Sequence, residues 1–141
     1  MMSKIAVIYW SGTGNTAMMA DAVVKGAKDK GGDVDLFDAS DFNNSMLDTY
    51  DALALGCPSM GAEVLEEDEF QPMYDSIKNN LGNKKIVLFG SYGWGDGEWM
   101  RNWEEELRAL GANLLKDGLI IVDQPDADGL LECEALGAAL V

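Results

Sequence analysis

One short, uncharged loop near the start of the chain has the residue types of an anion-binding site. Residues 11–16 read Ser-Gly-Thr-Gly-Asn-Thr, after the apolar residues 5–9 and before a helical pattern. Backbone N–H groups at a helix start lack partners, and the helix dipole adds partial positive charge there. The two glycines permit a close approach of the backbone, and the Ser, Thr and Asn side chains can donate further hydrogen bonds. The loop is therefore predicted to bind a phosphate group.

Three classes of phosphate loop compete for this stretch. A Walker A loop needs a lysine, and the loop has none. The dinucleotide pattern Gly-x-Gly-x-x-Gly/Ala matches at Gly12, Gly14 and Ala17, but it is short. A terminal phosphate monoester, such as that of FMN, exposes three oxygens and carries up to two charges. Four polar side chains in six residues favour the monoester, whereas a turn that only caps a helix would not need so many hydroxyl groups.

Two further loops could contact a flat ring. Residues 57–61 and residues 91–97 each follow an apolar run and are rich in turn-forming residues. Trp94 lies between two glycines, so a loop presents its indole, which could stack on a planar ligand. The thioether of Met60 could pack against the opposite face. Together the three loops indicate a flat aromatic ligand that carries a phosphate.

Alternating strands and helices must position these loops. The patterns predict one doubly wound α/β domain over residues 1–141, with five parallel strands. In such folds ligands bind beyond the carboxyl ends of the strands, so all three loops should share one edge. The predicted strands are 4–9, 34–37, 52–56, 86–90 and 119–122, and the predicted helices are 18–27, 70–81, 99–110 and 130–140, with a connection at 41–50.

Composition excludes several classes of function. The chain contains no histidine, which removes histidine bases, triads and metal ligands, and its two cysteines are too few for a disulfide framework. No apolar run reaches membrane-spanning length and no signal peptide is recognisable, so a soluble, cytoplasmic protein is expected. The net charge of −15 makes nucleic acid and anionic membranes poor partners and favours proteins with basic docking patches.

The three loops together resemble those of the short-chain flavodoxins of the clostridial type. The resemblance lies in residues 11–16, in Gly-Cys-Pro-Ser-Met-Gly-Ala-Glu-Val-Leu-Glu at 56–66, and in Gly-Ser-Tyr-Gly-Trp-Gly-Asp-Gly-Glu-Trp-Met at 90–100. It implies FMN as cofactor, a flavodoxin-like fold with strand order 2-1-3-4-5, and a monomeric electron carrier that is not an enzyme. The implied partners are oxidoreductases that also use ferredoxin and present basic patches.

The resemblance also implies roles for individual residues. Residues 11–16 would hold the phosphate, and Met60 and Trp94 would sandwich the isoalloxazine ring. Gly61 would offer its carbonyl to flavin N5–H after a peptide flip, and Glu63 would accept from flavin N3–H. Ala62 departs from the family, which often has a polar or acidic residue there. The full predicted cofactor-binding set is Trp10, Ser11, Gly12, Thr13, Gly14, Asn15, Thr16, Pro58, Ser59, Met60, Gly61, Ala62, Glu63, Ser91, Tyr92, Gly93, Trp94, Gly95, Asp96 and Asp123.

Acidic residues near these loops suggest how the potential is set. One like charge at ~10 Å and an effective dielectric constant of ~20 costs roughly 1.7 kcal/mol before salt screening. Several such charges would disfavour an anionic hydroquinone, so the chain is expected to shuttle between semiquinone and hydroquinone at low potential. The acidic residues in question are Glu63, Glu66, Glu67, Asp68, Glu69, Asp96 and Glu98.

Two other functions are compatible with the same patterns. The first is an FMN-dependent NAD(P)H reductase on this fold. The second is a regulatory module that binds a dinucleotide through Gly12, Gly14 and Ala17, with Asp38 on the ribose. A phosphoacceptor receiver domain is disfavoured, because no acidic pair follows the first strand.

Overall fold

The apolar runs of the sequence form the strands of one parallel sheet, and the amphipathic segments form the helices. The computed structural model describes residues 4–141. Its elements in chain order are β1 (Lys4–Tyr9), α1 (Asn15–Asp29), β2 (Asp33–Asp38), β3 (Ala52–Gly56), α2 (Phe70–Ile77), β4 (Lys85–Tyr92), α3 (Glu98–Ala109), β5 (Asn113–Leu114), β6 (Leu119–Val122) and α4 (Ala127–Ala138).

The sheet has the strand order β2-β1-β3-β4-β5, and every pairing is parallel. The predicted doubly wound α/β fold with the order 2-1-3-4-5 is thereby confirmed. Strand order reverses between β1 and β3, so a crevice opens beyond their carboxyl ends. The three loops singled out in the sequence all lie at this edge of the sheet.

The fifth position of the sheet differs from the prediction, because two short strands occupy it. Ile86 pairs with Leu114 and Phe89 pairs with Leu119, so the outer chain advances further than β4 between the two pairs. The surplus residues must bulge out of the sheet, which divides the strand into β5 and β6. Glu104 holds the bulge, since its Oε2 accepts a hydrogen bond from Gly118 N–H at 2.7 Å.

Several element boundaries also shift. β4 continues to Tyr92 rather than ending at residue 90, because β6 pairs with it that far. α2 ends at Ile77, and a 3₁₀ turn replaces its predicted last turn. The connection at 41–50 consists of 3₁₀ turns, and the first of these turns begins where the Asp38 carboxylate accepts from Ser40 N–H at 3.1 Å. A side chain that bonds its own backbone in this way favours a turn over a longer helix.

Helices cover both faces of the sheet, because alternate strand residues point to opposite sides. Along β1, Ile5 and Val7 pack with α1 and α4, whereas Ala6 and Ile8 pack with α2 and α3. None of the helices described between residues 4 and 141 is long and apolar enough to cross a membrane.

α1 and α4 approach each other closely at two glycines. A Cβ atom added to Gly26 would overlap the backbone carbonyl of Glu134, and one added to Gly137 would overlap the carbonyl of Val23. The backbone of each helix therefore packs directly against a glycine of the other helix, and neither glycine has room for a methyl group. Cys133 and Leu136 of α4 are buried beside this contact.

Both cysteines are fully buried and reduced, and burial raises the pKa of each thiol from 9.0 to about 12. Between pH 9 and 12 the unfolded chain loses its thiol protons while the folded chain keeps them. The free energy of unfolding should therefore fall as the pH rises through this window, with Cys57 contributing about 1.4 kcal/mol per pH unit. Urea unfolding at pH 8, 9.5 and 10.5 measures the slope. The Cys57→Ala variant should show a shallower slope, and an unchanged slope would contradict the assignment.

Candidate functional site

A cleft of about 390 Å³ opens at the carboxyl edge of the sheet. The loops after β1, β3 and β4 form its walls, and the residue after β6 completes them. Its lining residues are Trp10, Gly12, Thr13, Asn15, Pro58, Ser59, Met60, Ser91, Tyr92, Gly93, Trp94 and Asp123. All of these belong to the predicted set.

The loop after β1 is tied to the first turn of α1 by one hydroxyl group. The Oγ of Ser11 accepts from Gly14 N–H at 3.1 Å and from Ala17 N–H at 3.2 Å. Gly14 has a φ of 98°, a left-handed conformation that favours glycine and that leads directly into the helix. Thr13 Oγ1 accepts from Asn15 N–H at 3.4 Å. The loop thus presents a helix N-terminus to the cleft, which suits a bound anion.

Thr16 lies behind this loop and does not line the cleft. Its side chain is buried, and Thr16 Oγ1 lies 2.8 Å from Ser91 Oγ. This hydroxyl pair joins the start of α1 to the end of β4. The contact fixes the loop at residues 11–16 relative to the loop that carries Trp94.

The loop after β3 closes on itself around Gly61. Met60 and Val64 exchange two backbone hydrogen bonds of 2.9 Å each, which form a small antiparallel bridge. Gly61 and Glu63 both have positive φ, of 50° and 54°. Ser59 N–H donates to Ser91 O at 3.1 Å and anchors the loop on β4. Met60 thereby reaches the cleft on a constrained turn, and such left-handed non-glycine residues concentrate at functional sites.

Glu63 connects the loop after β3 to the loop after β4. Its Oε1 accepts from Glu98 N–H at 3.1 Å, at the first turn of α3. A Cβ on Gly95 would lie 2.5 Å from the Glu63 carboxylate, so glycine leaves the space for that carboxylate. Glu63 does not line the cleft, and its carboxylate lies between the two loops.

The loop after β4 exposes the indole ring of Trp94. Trp94 is 56% exposed although it lines the cleft. Arg101 of α3 holds the following part of the loop, because Nη1 donates to Asp96 O and Nη2 to Asp96 Oδ1, each at 2.9 Å. Asp123, with a φ of 56°, closes the cleft beyond β6, and its N–H donates to Tyr92 O at 2.8 Å.

One polar atom inside the cleft has no partner. Ser59 Oγ is buried and makes no hydrogen bond to any atom of residues 4–141. Buried hydroxyl groups are nearly always paired. Since Ser59 lines the cleft, a ligand with a polar atom there would satisfy it.

The predicted residues thus divide into two groups. One group lines the cleft as given above. The other belongs to the same loops or to the start of α1 without lining the cleft and consists of Ser11, Gly14, Thr16, Gly61, Ala62, Glu63, Gly95 and Asp96.

Glu66 is grouped by sequence with the acidic residues near the loops, but the structure places it differently from its neighbours Glu67 and Glu69, which are exposed. It is only 6% exposed, and its carboxylate accepts three backbone N–H groups: from Asp68 at 2.9 Å, Glu69 at 2.7 Å and Phe70 at 2.8 Å. These are otherwise unpaired donors at the start of α2. The carboxylate therefore caps a helix.

Glu66→Gln should reduce the free energy of unfolding by about 2–3 kcal/mol, because the amide cannot accept from all three donors and loses charge assistance. Urea unfolding provides the measurement. Glu67→Gln is the matched control, since Glu67 is the exposed neighbour and its change should stay within about 0.5 kcal/mol. Equal effects of the two substitutions would contradict the capping role.

Sequence reasoning missed two residues that shape the site. The capping role of Glu66 is one of them, and the signal that could have found it is a carboxylate just before a predicted helix start. Trp99 is the other, since the sequence indicates only that it begins the predicted helix over residues 99–110. It is buried there, but its Nε1 also donates to Cys57 O at 3.1 Å, directly before the loop that carries Met60.

Comparison with known proteins identifies close similarities over nearly the whole chain. The flavodoxin family model matches residues 7–137. A flavodoxin of Clostridium beijerinckii is 48% identical over 120 residues, covering 85% of this chain and 87% of the relative. A flavodoxin of Megasphaera elsdenii is 40% identical over 135 residues, covering 96% of both. The solution structure of the two-electron reduced M. elsdenii flavodoxin superposes with a TM-score of 0.86 at 40% identity, covering 96% of this chain and 97% of that one.

Proposed function

Because this chain belongs to the flavodoxin family, whose members carry electrons on FMN, we propose that the cleft at the carboxyl edge of the sheet is its FMN site. The chain is an electron-transfer protein, not an enzyme, and its partners are oxidoreductases. One observation carries the assignment: an uncharged loop at a helix N-terminus and an exposed indole line the same cleft. FMN has a phosphate at one end and a flat ring at the other.

The residues present fit FMN. Gly12, Thr13 and Asn15 line the phosphate end, where backbone N–H groups and the α1 dipole favour a monoester. Ser11 accepts from two N–H groups, and its own O–H remains able to donate. The unpartnered Ser59 hydroxyl supplies one more polar contact inside the cleft.

Met60 and Trp94 hold the ring end, with Tyr92 and Gly93 beside them. When bound, FMN supplies the one-electron chemistry, and the protein tunes it. With FMN bound, Gly61 would offer its backbone carbonyl and Glu63 its carboxylate to the polar edge of the ring, and Ala62 and Asp123 would lie beside it. The Glu63 carboxylate is already oriented by Glu98 N–H.

Acidic residues around the ring end keep the potential low. Asp96 and Glu98 lie on the loop and helix start next to Trp94, and the Glu63 carboxylate reaches that helix start from the Met60 loop. Glu67 and Glu69 follow the Met60 loop on the exposed surface. Added negative charge on the ring is disfavoured in such a field. Glu66 is excluded from this group of exposed acids because its charge is buried against three N–H donors.

The same charge selects the partners. With a net charge of −15, the chain favours oxidoreductases that present basic docking patches, such as those that also use ferredoxin. We also propose that the protein is a cytoplasmic monomer, and electrostatic repulsion between copies supports the monomeric state because it opposes self-association.

Trp94→Ala tests the site. The full chain should bind one FMN and quench its fluorescence, and loss of the stacked indole should raise the FMN dissociation constant about tenfold. Leu131→Ala is the control, because it removes a 61% exposed apolar side chain that does not line the cleft. A protein that binds no FMN, or a Trp94→Ala variant that binds as tightly as the control, would refute the proposal.

A further inference from the structure

We propose that Trp99 is a positioning residue of the FMN site: its indole N–H holds the Cys57 carbonyl and so directs the chain into the turn that carries Met60. This inference rests on the proposed function and adds to it a residue outside the cleft. Trp99 does not line the cleft and is only 2% exposed. It acts through the backbone of the loop after β3.

The loop after β3 is anchored at three successive points, and Trp99 provides the middle one. Cys57 N–H donates to Phe89 O at 3.1 Å, and Ser59 N–H donates to Ser91 O at 3.1 Å. Pro58 lies between them and has no N–H to donate. Among residues 4–141, the Pro58 carbonyl accepts only from the Cys57 thiol, at 3.5 Å, whereas the Cys57 carbonyl accepts from Trp99 Nε1 at 3.1 Å in a buried environment. This hydrogen bond therefore sets where the peptide before Pro58 points.

The same indole also supports the loop on the other side of the cleft. The rings of Trp99 and Tyr92 lie 5.4 Å apart at an interplanar angle of 47°. Tyr92 lines the cleft and directly precedes Gly93 and Trp94. A single side chain at the start of α3 thus contacts the start of the Met60 loop and the end of β4, from which the Trp94 loop continues.

Gly90 provides the space for this hydrogen bond. A Cβ on Gly90 would overlap the Cys57 carbonyl oxygen and lie 3.1 Å from Cζ2 of Trp99. A side chain there would push the donor and the acceptor apart. The hydrogen bond between Trp99 and the Cys57 carbonyl therefore depends both on the indole of α3 and on a glycine at position 90 of β4.

The next tryptophan of α3 is an internal control. Trp103 follows one turn later, is 3% exposed, and packs edge-on against Phe70 at 5.4 Å. Its Nε1 has no hydrogen-bond partner within the described part of the chain. Replacing Trp103 by phenylalanine therefore removes a similar apolar volume without breaking a hydrogen bond to the loops of the cleft.

The experiment compares Trp99→Phe with Trp103→Phe in the full chain with FMN. Loss of the bond leaves a buried carbonyl unpaired, so Trp99→Phe should raise the FMN dissociation constant about tenfold. It should also shift the midpoint potentials and the backbone amide resonances of residues 59–64. Trp103→Phe should change the dissociation constant less than about threefold and leave those resonances in place. Equal effects of the two substitutions on binding and on these resonances would overturn the inference.

Two further measurements separate the possible failures. If Trp99→Phe does not fold, replacing Trp99 by β-(3-benzothienyl)alanine keeps the ring shape and removes only the N–H, and it should reproduce the tenfold loss. Binding as tight as wild type with this isostere would overturn the inference. A failure of the proposed function is distinct, because there the unmodified chain binds no FMN or is insensitive to Trp94→Ala.

Discussion

Replacing Gly26 by alanine is expected to lower the free energy of unfolding by about 3 kcal/mol. The added methyl group would overlap the backbone carbonyl of Glu134, and a backbone atom, unlike a side-chain tip, cannot rotate away. α1 and α4 would have to separate, which would expose apolar surface around Val23 and Leu136. Overpacking of this kind commonly costs 1–3 kcal/mol, and backbone overlap belongs at the upper end. Urea unfolding measures the change.

A double-mutant cycle makes the prediction specific. Gly137→Ala should cost a similar amount, because its methyl group would overlap the Val23 carbonyl on the facing helix. Once one alanine has separated the helices, the second should add little, so the double variant should be clearly less destabilised than the sum. Gly129→Ala in the same helix is the control, since its methyl would meet only the flexible tip of Ile121 at 3.0 Å and the Asp126 carboxylate at 3.2 Å. Additive costs would contradict a shared contact.

Replacing Thr13 by aspartate is expected to raise the FMN dissociation constant at least about 100-fold. Thr13 is exposed and lines the phosphate end of the cleft. A carboxylate about 6 Å from a phosphate charge, at an effective dielectric constant of ~20, costs roughly 2.8 kcal/mol for each such charge before screening. The loop has no lysine or arginine that could offset it. Fluorescence titration at low and high salt measures the loss, which should shrink as salt rises.

Two controls test whether the effect comes from repulsion between the new carboxylate and the phosphate. One is the neutral variant Thr13→Asn, and the other is riboflavin as the ligand. Asparagine has the shape of aspartate and keeps a side-chain oxygen for the contact with Asn15 N–H, so its effect on FMN binding should be small. Riboflavin has no phosphate, so its affinity should be nearly the same for both variants. If aspartate weakened both ligands equally, the phosphate would not lie at this loop.

The two predictions concern different parts of the same architecture. α1 presents its N-terminus to the phosphate end of the cleft, and near its other end it is held to α4 through Gly26. Its first turn is further fixed by the Thr16 and Ser91 hydroxyl groups. An anion site made of backbone N–H groups depends on such rigid placement, because no flexible basic side chain can follow a displaced phosphate.

The acidic residues near the cleft have separate physical roles. Exposed carboxylates such as Glu67 and Glu69 act through space and are screened by salt. Glu66 and Glu63 instead accept backbone N–H groups and hold the starts of α2 and α3. Substitutions of the first pair should change potentials and docking, whereas substitutions of the second pair also change the fold of the loops.

Local patterns in the sequence were sufficient to predict the alternation of strands and helices. The spacing of apolar residues shows whether a segment is buried on one face, as an amphipathic helix is, or on both, as a central parallel strand is. They also indicated the loop at residues 11–16, since its chemistry depends on consecutive residues at a helix start. The gathering of three loops at one edge followed from parallel strands alone. The strand order 2-1-3-4-5 came from the family resemblance and is confirmed by the sheet pairing.

Only the tertiary structure decided the contacts between residues distant in sequence. The split of the last strand into β5 and β6 depends on register against β4, which no local pattern contains. The bond from Trp99 to the Cys57 carbonyl and the burial of Glu66 depend on how α3 and the loop after β3 pack together. A residue's type limits what it can bind, but its partner is set by the packing of the whole chain.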